Sequence, residues 1–233
     1  MKIKVNNTVF NELNNIKIIE VTGLEPVSST ITTKKSGMNG TTFKGSTLDE
    51  RNIVINGVIV ADVKNNRLNL YKIFKSNKEL ELTFDDTYTI TCYVENIEMN
   101  NFQVLTSFQI SLICPNPYFY KDEQVIEVTE DEIEFITETE TDWEIIANFT
   151  SDATYFTFYL NNYWYTCNLE ITNGDTLTIR TKDRKIYLDN SNVYYSKNWT
   201  IWKQIEEGTN KTHYATDGSC NVSLKYKDKY IGI

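Results

Sequence analysis

Histidine, the side chain that most often acts as a general acid or base, occurs once in this chain. The one histidine, His213, lies close to Asp217 and Ser219 in the stretch THYATDGSC. These are the residue types of a nucleophilic triad, but triads are assembled from distant parts of a fold rather than from one turn. No Gly-x-Ser-x-Gly elbow occurs in the sequence. We therefore interpret His213 as a surface residue, with a triad as the alternative.

The stretch GTTFKGST (40–47) has two glycines at the spacing of a phosphate-binding loop. In that loop a lysine follows the second glycine, and a strand and a helix flank the motif. Here Lys44 precedes Gly45, and no parallel-sheet pattern surrounds it. The stretch is predicted to be a β-hairpin loop.

The cysteines Cys92, Cys114, Cys167 and Cys220 form no CxxC pair and no tight cluster. Zinc sites usually show paired, close spacing of their ligands. Free thiols in a reducing compartment are the favoured interpretation, with disulfides as the alternative. The sequence predicts no metal site and no cofactor.

Carboxylates are concentrated in residues 121–144, which raises the question of a glycosidase pair or a calcium site. They alternate with Val, Ile and Phe at the period of a strand, so they line one face instead of converging on a point. A solvated strand face is predicted.

An aromatic-rich run, YFTFYLNNYWYTCN (155–168), follows. At strand period, Phe156 and Phe158 share one face, and tyrosines occupy the other. Aromatic side chains on a β-sandwich are typical of sugar-binding surfaces and of surfaces that meet a partner protein. The candidate contact residues are Tyr163, Trp164 and Tyr165.

Strands with a period of two must position these residues, because segments such as 16–24, 52–60, 88–97 and 199–205 alternate apolar with polar side chains. One helix is predicted within 65–79, with Leu70 and Phe74 on its buried face and Asn65 or Asn66 as its cap.

Pro115 and Pro117 must end a strand, since proline donates no ladder hydrogen bond. The chain is predicted to be mainly β, with modules 1–117 and 118–233.

Charge differs between the two halves. Residues 1–117 contain 12 Lys and Arg against 12 Asp and Glu, whereas residues 118–233 contain 11 against 20. An acidic half repels nucleic acid, and the first half has no compensating basic stripe. No run approaches the roughly 20 apolar residues that cross a bilayer. Specific nucleic-acid binding and membrane insertion are therefore not expected.

Four stretches occur in a fixed order along the first half: EVTGLEPVSSTI (20–31), RNIVINGVI (51–59), RLNLYKIF (67–74) and QISLICPNPYFY (109–120). Their order resembles that of the motifs in the N-terminal domain of siphophage distal tail proteins. The second half is similar to the galectin-like sandwich of the same family through WKQIEEGTNK (202–211), where Glu207 stands at a position at which proline is common. The positions that carry the family motifs are Gly23, Pro26, Arg51, Gly57, Pro115, Pro117, Trp202, Gly208 and Asn210.

The resemblance implies an N-terminal β-sandwich-like, ring-forming domain with one short helix and a C-terminal galectin-like β-sandwich. It implies a non-catalytic virion protein that forms a hexameric ring at the phage tail tip after assembly in the host cytoplasm. The expected partners are further copies of the chain, the tail-tube protein, the tail-associated hub or lysin protein, and receptor-binding proteins. The alternative is a carbohydrate-binding adhesion module, which the aromatic run motivates.

Overall fold

Strands make up most of the protein, as the alternating sequence predicts. The computed structural model describes residues 1–6, 8–10, 13, 15–26, 28–33, 42–100 and 105–233. The chain forms two compact units. Unit 1 comprises Met1–Lys121 together with Tyr230–Ile233, and unit 2 comprises Asp122–Lys229.

The described part of unit 1 contains ten strands and one α-helix before the chain enters unit 2. Its elements are β1 (Ile3–Val5), β2 (Thr8–Val9), β3 (Ile16–Thr22), β4 (Ser28–Thr33), β5 (Thr42–Leu48), β6 (Arg51–Ile59), α1 (Val63–Ile73), β7 (Glu79–Phe84), β8 (Tyr88–Met99), β9 (Thr106–Cys114) and β10 (Phe119–Tyr120).

The main sheet of unit 1 has the strand order β2-β1-β7-β8-β9-β6-β3, and each strand is antiparallel to its neighbours in this order. β10 pairs with β8 and with β21 (Lys229–Tyr230). Inward-facing residues of the central strands, such as Ile53, Ile55 and Ile110, are fully buried. Phe119 is buried in the same core, where its ring lies edge-on to Phe84. Residues 118–121 therefore belong to unit 1, although the sequence places them in the second module.

The stretch 42–47, predicted to be a loop, lies instead on β5, which pairs with β4 to form a separate two-stranded hairpin. Residues 40 and 41 of the glycine motif lie outside the described part of the chain. The prediction missed this strand because Gly45 and the Ser and Thr residues around it are typical of turns.

The predicted helix is present as α1, and Leu70 and Phe74 are both buried. Its predicted caps are wrong, because the helix begins at Val63 after Asp62, whose φ is 47°. Asn66 lies inside the helix, where its amide donates to the carbonyl of Ala61 at 2.9 Å.

Unit 2 consists of two antiparallel sheets. Its strands are β11 (Gln124–Val128), β12 (Ile133–Thr137), β13 (Trp143–Phe149), β14 (Ala153–Leu160), β15 (Tyr163–Ile171), β16 (Thr176–Arg180), β17 (Lys185–Leu188), β18 (Ser191–Asn192), β19 (Gly208–Thr216) and β20 (Cys220–Tyr226). One sheet has the order β11-β20-β13-β16-β17-β18, and the other has the order β12-β19-β14-β15.

The two sheets share one core, so unit 2 is a β-sandwich. The ring of Trp143 on β13 lies 5.1 Å from that of Phe158 on β14. The acidic segment forms β11 and β12 with Glu127 and Glu134 exposed, as the alternation predicts.

The segment 199–205 does not form the predicted strand. Residues 197–205 follow a short 3₁₀ helix (Tyr194–Ser196), and they form only two isolated β-bridges, one between Lys197 and Cys167 and one between Ile205 and Thr141. Trp199 is buried against Tyr165, with the two ring centroids 5.4 Å apart. The side chains of this segment therefore pack into the edge of the sandwich without continuing either sheet.

Candidate functional site

Arg51, the first residue of β6, is the largest fully buried side chain in the described residues, and 1% of it is exposed. Its guanidinium donates hydrogen bonds to four backbone carbonyls. Nε donates to Pro117 at 3.0 Å, and Nη1 donates to Gly23 at 2.9 Å and to Glu25 at 2.7 Å. Nη2 donates to Ile231 at 2.5 Å. We call this arrangement the Arg51 node.

The local backbone explains why these carbonyls point at one guanidinium. Gly23 ends β3 with a φ of +85°, and a Cβ at this position would lie 1.9 Å from the carbonyl oxygen of Asn52. No other residue fits there. Pro117 follows the end of β9, where its carbonyl is free of the sheet ladder. The Arg51 node therefore holds together segments that are distant in sequence.

Within the described part of the chain, the buried Arg51 guanidinium forms no direct ion pair with a carboxylate. Burial lowers the pKa of the Arg51 guanidinium, and the nearby Cys114 thiol and Glu25 carboxylate act in the opposite direction. The guanidinium carbon also lies 4.7 Å from the centroid of the Phe119 ring. Four carbonyl dipoles and one aromatic face thus stabilise the charge.

Other family-motif residues of unit 1 lie near the node or along the same strand. The Cδ atom of Pro26 is 3.3 Å from the point that a Cβ on Gly232 would occupy. Pro115 is exposed just after β9. Gly57 lies farther along β6, where a Cβ would be 2.3 Å from the Phe108 ring and 2.6 Å from the Lys17 carbonyl oxygen. The motif residues of unit 1 therefore fix backbone geometry.

In unit 2, the structure brings Gly208 and Asn210 together. Asn210 is fully buried, and its Nδ2 donates to the carbonyls of Glu206 at 2.8 Å and Gly208 at 2.9 Å and to Thr137 Oγ1 at 3.1 Å. Its Oδ1 accepts a hydrogen bond from Asn161 at 2.8 Å. Gly208 has a φ of +100°, which glycine adopts without strain. These residues fix the start of β19.

Trp202 lies in a different cluster of unit 2. Its ring is nearly parallel to that of Tyr194, with an interplanar angle of 14°, and edge-on to that of Trp199. The ammonium of Lys197 lies 4.4 Å from the Tyr194 ring centroid and 5.5 Å from that of Trp202. The cluster covers the outer edge of β15, where the backbone nitrogen of Asn198 donates to the Thr166 carbonyl.

The three candidate contact residues on β15 do not share one surface. Tyr165 is 1% exposed and packs in the core, so its prediction as a surface contact is wrong. Tyr163 is half-buried beneath the ammonium of Lys203, which lies 5.4 Å from its ring centroid. Trp164 points the other way and is 61% exposed. Alternation along a strand accounts for the split.

Two residues that the sequence did not assign to this surface lie in line with Trp164 across the sheet. Tyr159 on β14 is paired in register with Trp164 on one side and with His213 on the other. The rings of Tyr159 and His213 are stacked, with centroids 4.2 Å apart and an interplanar angle of 7°. We call Trp164, Tyr159 and His213 the aromatic row. The pairing depends on strand register across three strands, which the local sequence does not contain.

The triad residues considered from the sequence are engaged elsewhere. Asp217 Oδ1 accepts the backbone N–H of Thr154 at 2.8 Å, and hydrogen bonds from Thr154 hold the pKa of Asp217 below its ordinary value. The Ser219 backbone donates to Ser151 Oγ at 2.8 Å. Within the described ranges, no group of three or more His, Cys, Asp or Glu side chains is placed to hold a metal ion.

The four cysteines are free thiols in the structure, and three of them are fully buried. Burial raises the pKa of Cys167 to about 12 and that of Cys220 to about 11. A hydrogen bond to Cys114, together with burial, raises the pKa of Cys92. Thiols with raised pKa values are poor nucleophiles at neutral pH. No helix in the described residues is both long and apolar enough to cross a membrane.

Comparison with known proteins identifies both halves of the chain. Residues 3–114 match the family model of the phage tail protein RIFT-related domain, and residues 137–230 match that of the siphovirus-type tail component, C-terminal domain. No protein with a curated function matches the sequence significantly.

Solved structures share the fold over the whole chain. The crystal structure of SPP1 Dit, described as a paradigm of the hub adsorption apparatus in Gram-positive infecting phages, is 13% identical with a TM-score of 0.78 over 98% of both chains. A chain of the phage P2 baseplate, in its activated conformation with Ca, is 10% identical with a TM-score of 0.56. It covers 100% of this chain and 99% of its own length. The two tail-component domains in this order, on this fold, show that the chain belongs to the siphophage distal tail proteins, the structural proteins of the phage tail tip and baseplate.

Proposed function

We propose that the protein forms a hexameric ring at the distal end of the phage tail, where it joins the tail tube to the hub or lysin protein. The observation that carries this proposal is the presence of both tail-component domains, in order, on a fold that matches SPP1 Dit over 98% of each chain. In this role the protein is a virion component that assembles in the host cytoplasm and performs no catalysis.

Unit 1 offers the surfaces that such a ring requires. β3 is the outermost strand of the main sheet in the described part of the chain, and Ile19 on it is 69% exposed. The β4–β5 hairpin pairs with no other described strand and exposes Ile31 to 50%. An unprotected strand edge with exposed apolar residues favours pairing with another chain. We assign the contacts between subunits to β3 and this hairpin.

The charge distribution fits the same arrangement. Residues 122–229 contain 10 Lys and Arg against 20 Asp and Glu, whereas unit 1 contains 13 against 12. Nearly neutral units pack side by side without repulsion, and acidic units of neighbouring copies repel one another. Unit 2 is therefore assigned to the periphery, where it docks receptor-binding or adhesion proteins.

Helix α1 and the residues directly after it are rich in basic side chains. The stretch 63–78 contains five basic residues and no acidic one, and Leu68 and Tyr71 are about half exposed. A basic helix with exposed apolar side chains suits an acidic protein partner. We assign the contact with the tail-tube or hub protein to this helix.

The ring is tested by measuring the mass of the purified protein by light scattering, alone and mixed with its tail-tube and hub proteins. The expected result is a hexamer, or a complex that forms on mixing. Ile19→Lys is expected to abolish the ring while the far-ultraviolet circular dichroism stays unchanged. The matched control is Ile136→Lys in unit 2, where the side chain is 71% exposed. A monomer that binds neither protein contradicts the proposal.

A further inference from the structure

The outer face of the sheet β12-β19-β14-β15 carries aromatic and hydroxyl side chains in adjacent rows. Phe156 and Phe158 of β14 point into the core, so Tyr155, Thr157 and Tyr159 point outward. The register places Trp164 and His213 on either side of Tyr159, at the spacing of about 4.8 Å between neighbouring strands. The aromatic row therefore crosses three strands on one face.

Trp164 presents the one widely exposed indole of this row. The side chain is 61% exposed and makes no ring contact with another described residue. Tyr159 and His213 stack face to face and so stand side by side on the sheet. An exposed indole beside a rigid stacked pair gives a pre-organised apolar surface, because the stacking restricts both side chains before any ligand binds.

A row of hydroxyl groups runs next to the aromatic row. Thr157 Oγ1 and Thr166 Oγ1 are hydrogen-bonded across β14 and β15 at 3.0 Å. Thr157 is only 6% exposed although it points outward, because it lies between Tyr155 and Tyr159 on the same strand. Ala215 on β19, opposite Thr157, places a methyl group in line with the two threonines. The short side chains form a low floor along one side of the aromatic row, about 7 Å away.

The other end of the aromatic row is polar. Lys211 of β19 forms ion pairs with Glu132 at 2.8 Å and Glu134 at 3.2 Å, next to His213. These groups supply both donors and acceptors of hydrogen bonds in water-accessible positions. The face thus combines apolar ring surfaces with hydroxyl, imidazole and ion-pair groups at fixed spacing.

This combination matches a chain of pyranose rings. A pyranose has an apolar face of C–H bonds that packs on an indole, and a rim of hydroxyl groups that exchange hydrogen bonds with threonine and histidine. A polyanion is disfavoured, because unit 2 has a net charge of 10 − 20 = −10 and Glu132 and Glu134 flank the row. We propose that the aromatic row and its threonine floor bind a neutral polysaccharide, with Trp164 as the stacking residue and His213 as a hydrogen-bonding residue.

This binding does not depend on ring formation, so it is tested separately. The full-length protein is titrated with chitohexaose, cellohexaose and a neutral galactan by calorimetry, and tryptophan fluorescence is followed. Polygalacturonate serves as the polyanion. At least one neutral glycan is expected to bind, and polygalacturonate is expected not to bind.

Trp164→Ala is expected to weaken the binding about tenfold or more, because removal of a central aromatic contact typically has this effect. His213→Ala is expected to weaken it less. The matched control is Tyr195→Ala. Tyr195 lies on the short 3₁₀ helix Tyr194–Ser196, outside the aromatic row, and is 84% exposed, so its substitution should leave the affinity unchanged. All three side chains are at least partly exposed, and circular dichroism checks that each variant folds.

Two results would overturn the proposal. The first is the absence of binding by every neutral glycan of the panel, or equal binding by the wild type and Trp164→Ala. The second is a change in assembly, in which Trp164→Ala reduces the oligomer mass or its complex with a tail protein while glycan binding is unaffected. That outcome would assign the face to a protein partner.

Discussion

At the scale of single residues, the polar groups that matter most are buried and bonded to the backbone. Arg51 and Asn210 each donate hydrogen bonds to several backbone carbonyls that lie between strands or at the first residue of a strand. A buried carbonyl that loses its donor destabilises the fold by about 1–3 kcal/mol. The two residues therefore fix irregular segments, where strand pairing supplies no order.

Arg51→Met tests the Arg51 node. The change leaves four carbonyls without their donor, so the free energy of unfolding of unit 1 should fall by about 3–5 kcal/mol. All four tryptophans, Trp143, Trp164, Trp199 and Trp202, lie in unit 2. In urea, the circular dichroism transition of unit 1 should therefore shift while the tryptophan fluorescence transition stays in place.

The matched control for Arg51 is Arg180→Ala. Arg180 forms an exposed ion pair with Glu144 and lies above the Tyr187 ring. Exposed ion pairs contribute about 1 kcal/mol or less. If the two arginine variants have similar stabilities, the Arg51 node does not have the role described.

At the scale of elements, two strands can approach closely where one of them carries a glycine, which has no side chain to separate them. β6 lies between β3 and β9, and Gly57 allows Phe108 and the Lys17 carbonyl to approach it from either neighbour. Because backbone atoms cannot move aside as a flexible side chain can, a methyl group at this point would separate β3 from β6.

Gly57→Ala should destabilise unit 1 by about 1–3 kcal/mol through overpacking. Hydrogen exchange should be faster in Ile16–Thr22, the strand that is pushed away. Gly174→Ala is the control, because no atom lies within 4 Å of its Cβ position and only its φ of +99° is unfavourable. Unchanged exchange in β3 of the Gly57 variant would contradict this explanation.

Two buried groups of β15 that lose a proton at high pH, the Cys167 thiol and the Tyr165 phenol, predict a loss of stability under alkaline conditions. Burial raises the pKa of Cys167 from 9.0 to about 12 and that of Tyr165 from 10.0 to about 12. Between the ordinary and the raised pKa of each group, the unfolded chain releases a proton that the folded chain retains, so the free energy of unfolding falls as pH rises. The stability that these two groups contribute is fully present below about pH 9 and is lost by about pH 12.

Urea unfolding of unit 2, followed by tryptophan fluorescence across this range, measures the effect. Cys167→Ala should be less stable at neutral pH because a buried side chain is truncated, but its stability should depend less steeply on alkaline pH. Equal slopes for the wild type and this variant would show that the buried thiol does not contribute.

At the scale of the whole molecule, unit 1 is built from two separate parts of the chain. After unit 2, the residues Tyr230–Ile233 return to unit 1. Tyr230 lies edge-on to Tyr88 with centroids 5.3 Å apart, and the Ile231 carbonyl accepts from Arg51. Unit 1 is therefore incomplete until the last residues of the sequence are present.

Deletion of residues 230–233 should lower the stability of unit 1 by about 3 kcal/mol, since it removes a partly buried aromatic contact and an acceptor of the Arg51 guanidinium. The circular dichroism transition should shift and the fluorescence transition should not. Deletion of Ile233 alone, a residue that is 38% exposed, is the control. Equal shifts in both transitions would contradict the assignment of this segment to unit 1.

Much of the fold follows from local patterns. The strand period identifies β6, β8, β9 and β13 through β16, and the spacing of Leu70 and Phe74 identifies α1. The prediction of a strand at 199–205 is wrong, because its alternating side chains pack around the edge of a sheet that is already complete. The cap of α1 is wrong because the chain enters the helix through a left-handed residue, Asp62.

The sequence by itself determined the mainly β class, the acidic second half and the order of motifs that resembles the distal tail proteins, because each is a property of composition, period or local sequence. Only the tertiary structure decided that Gly23, Arg51, Pro117 and Ile231 meet at one node, and that Tyr159 stands between Trp164 and His213. Those contacts join residues that are distant in the chain. Strand register and the path of the last four residues fix them, and no local pattern encodes either.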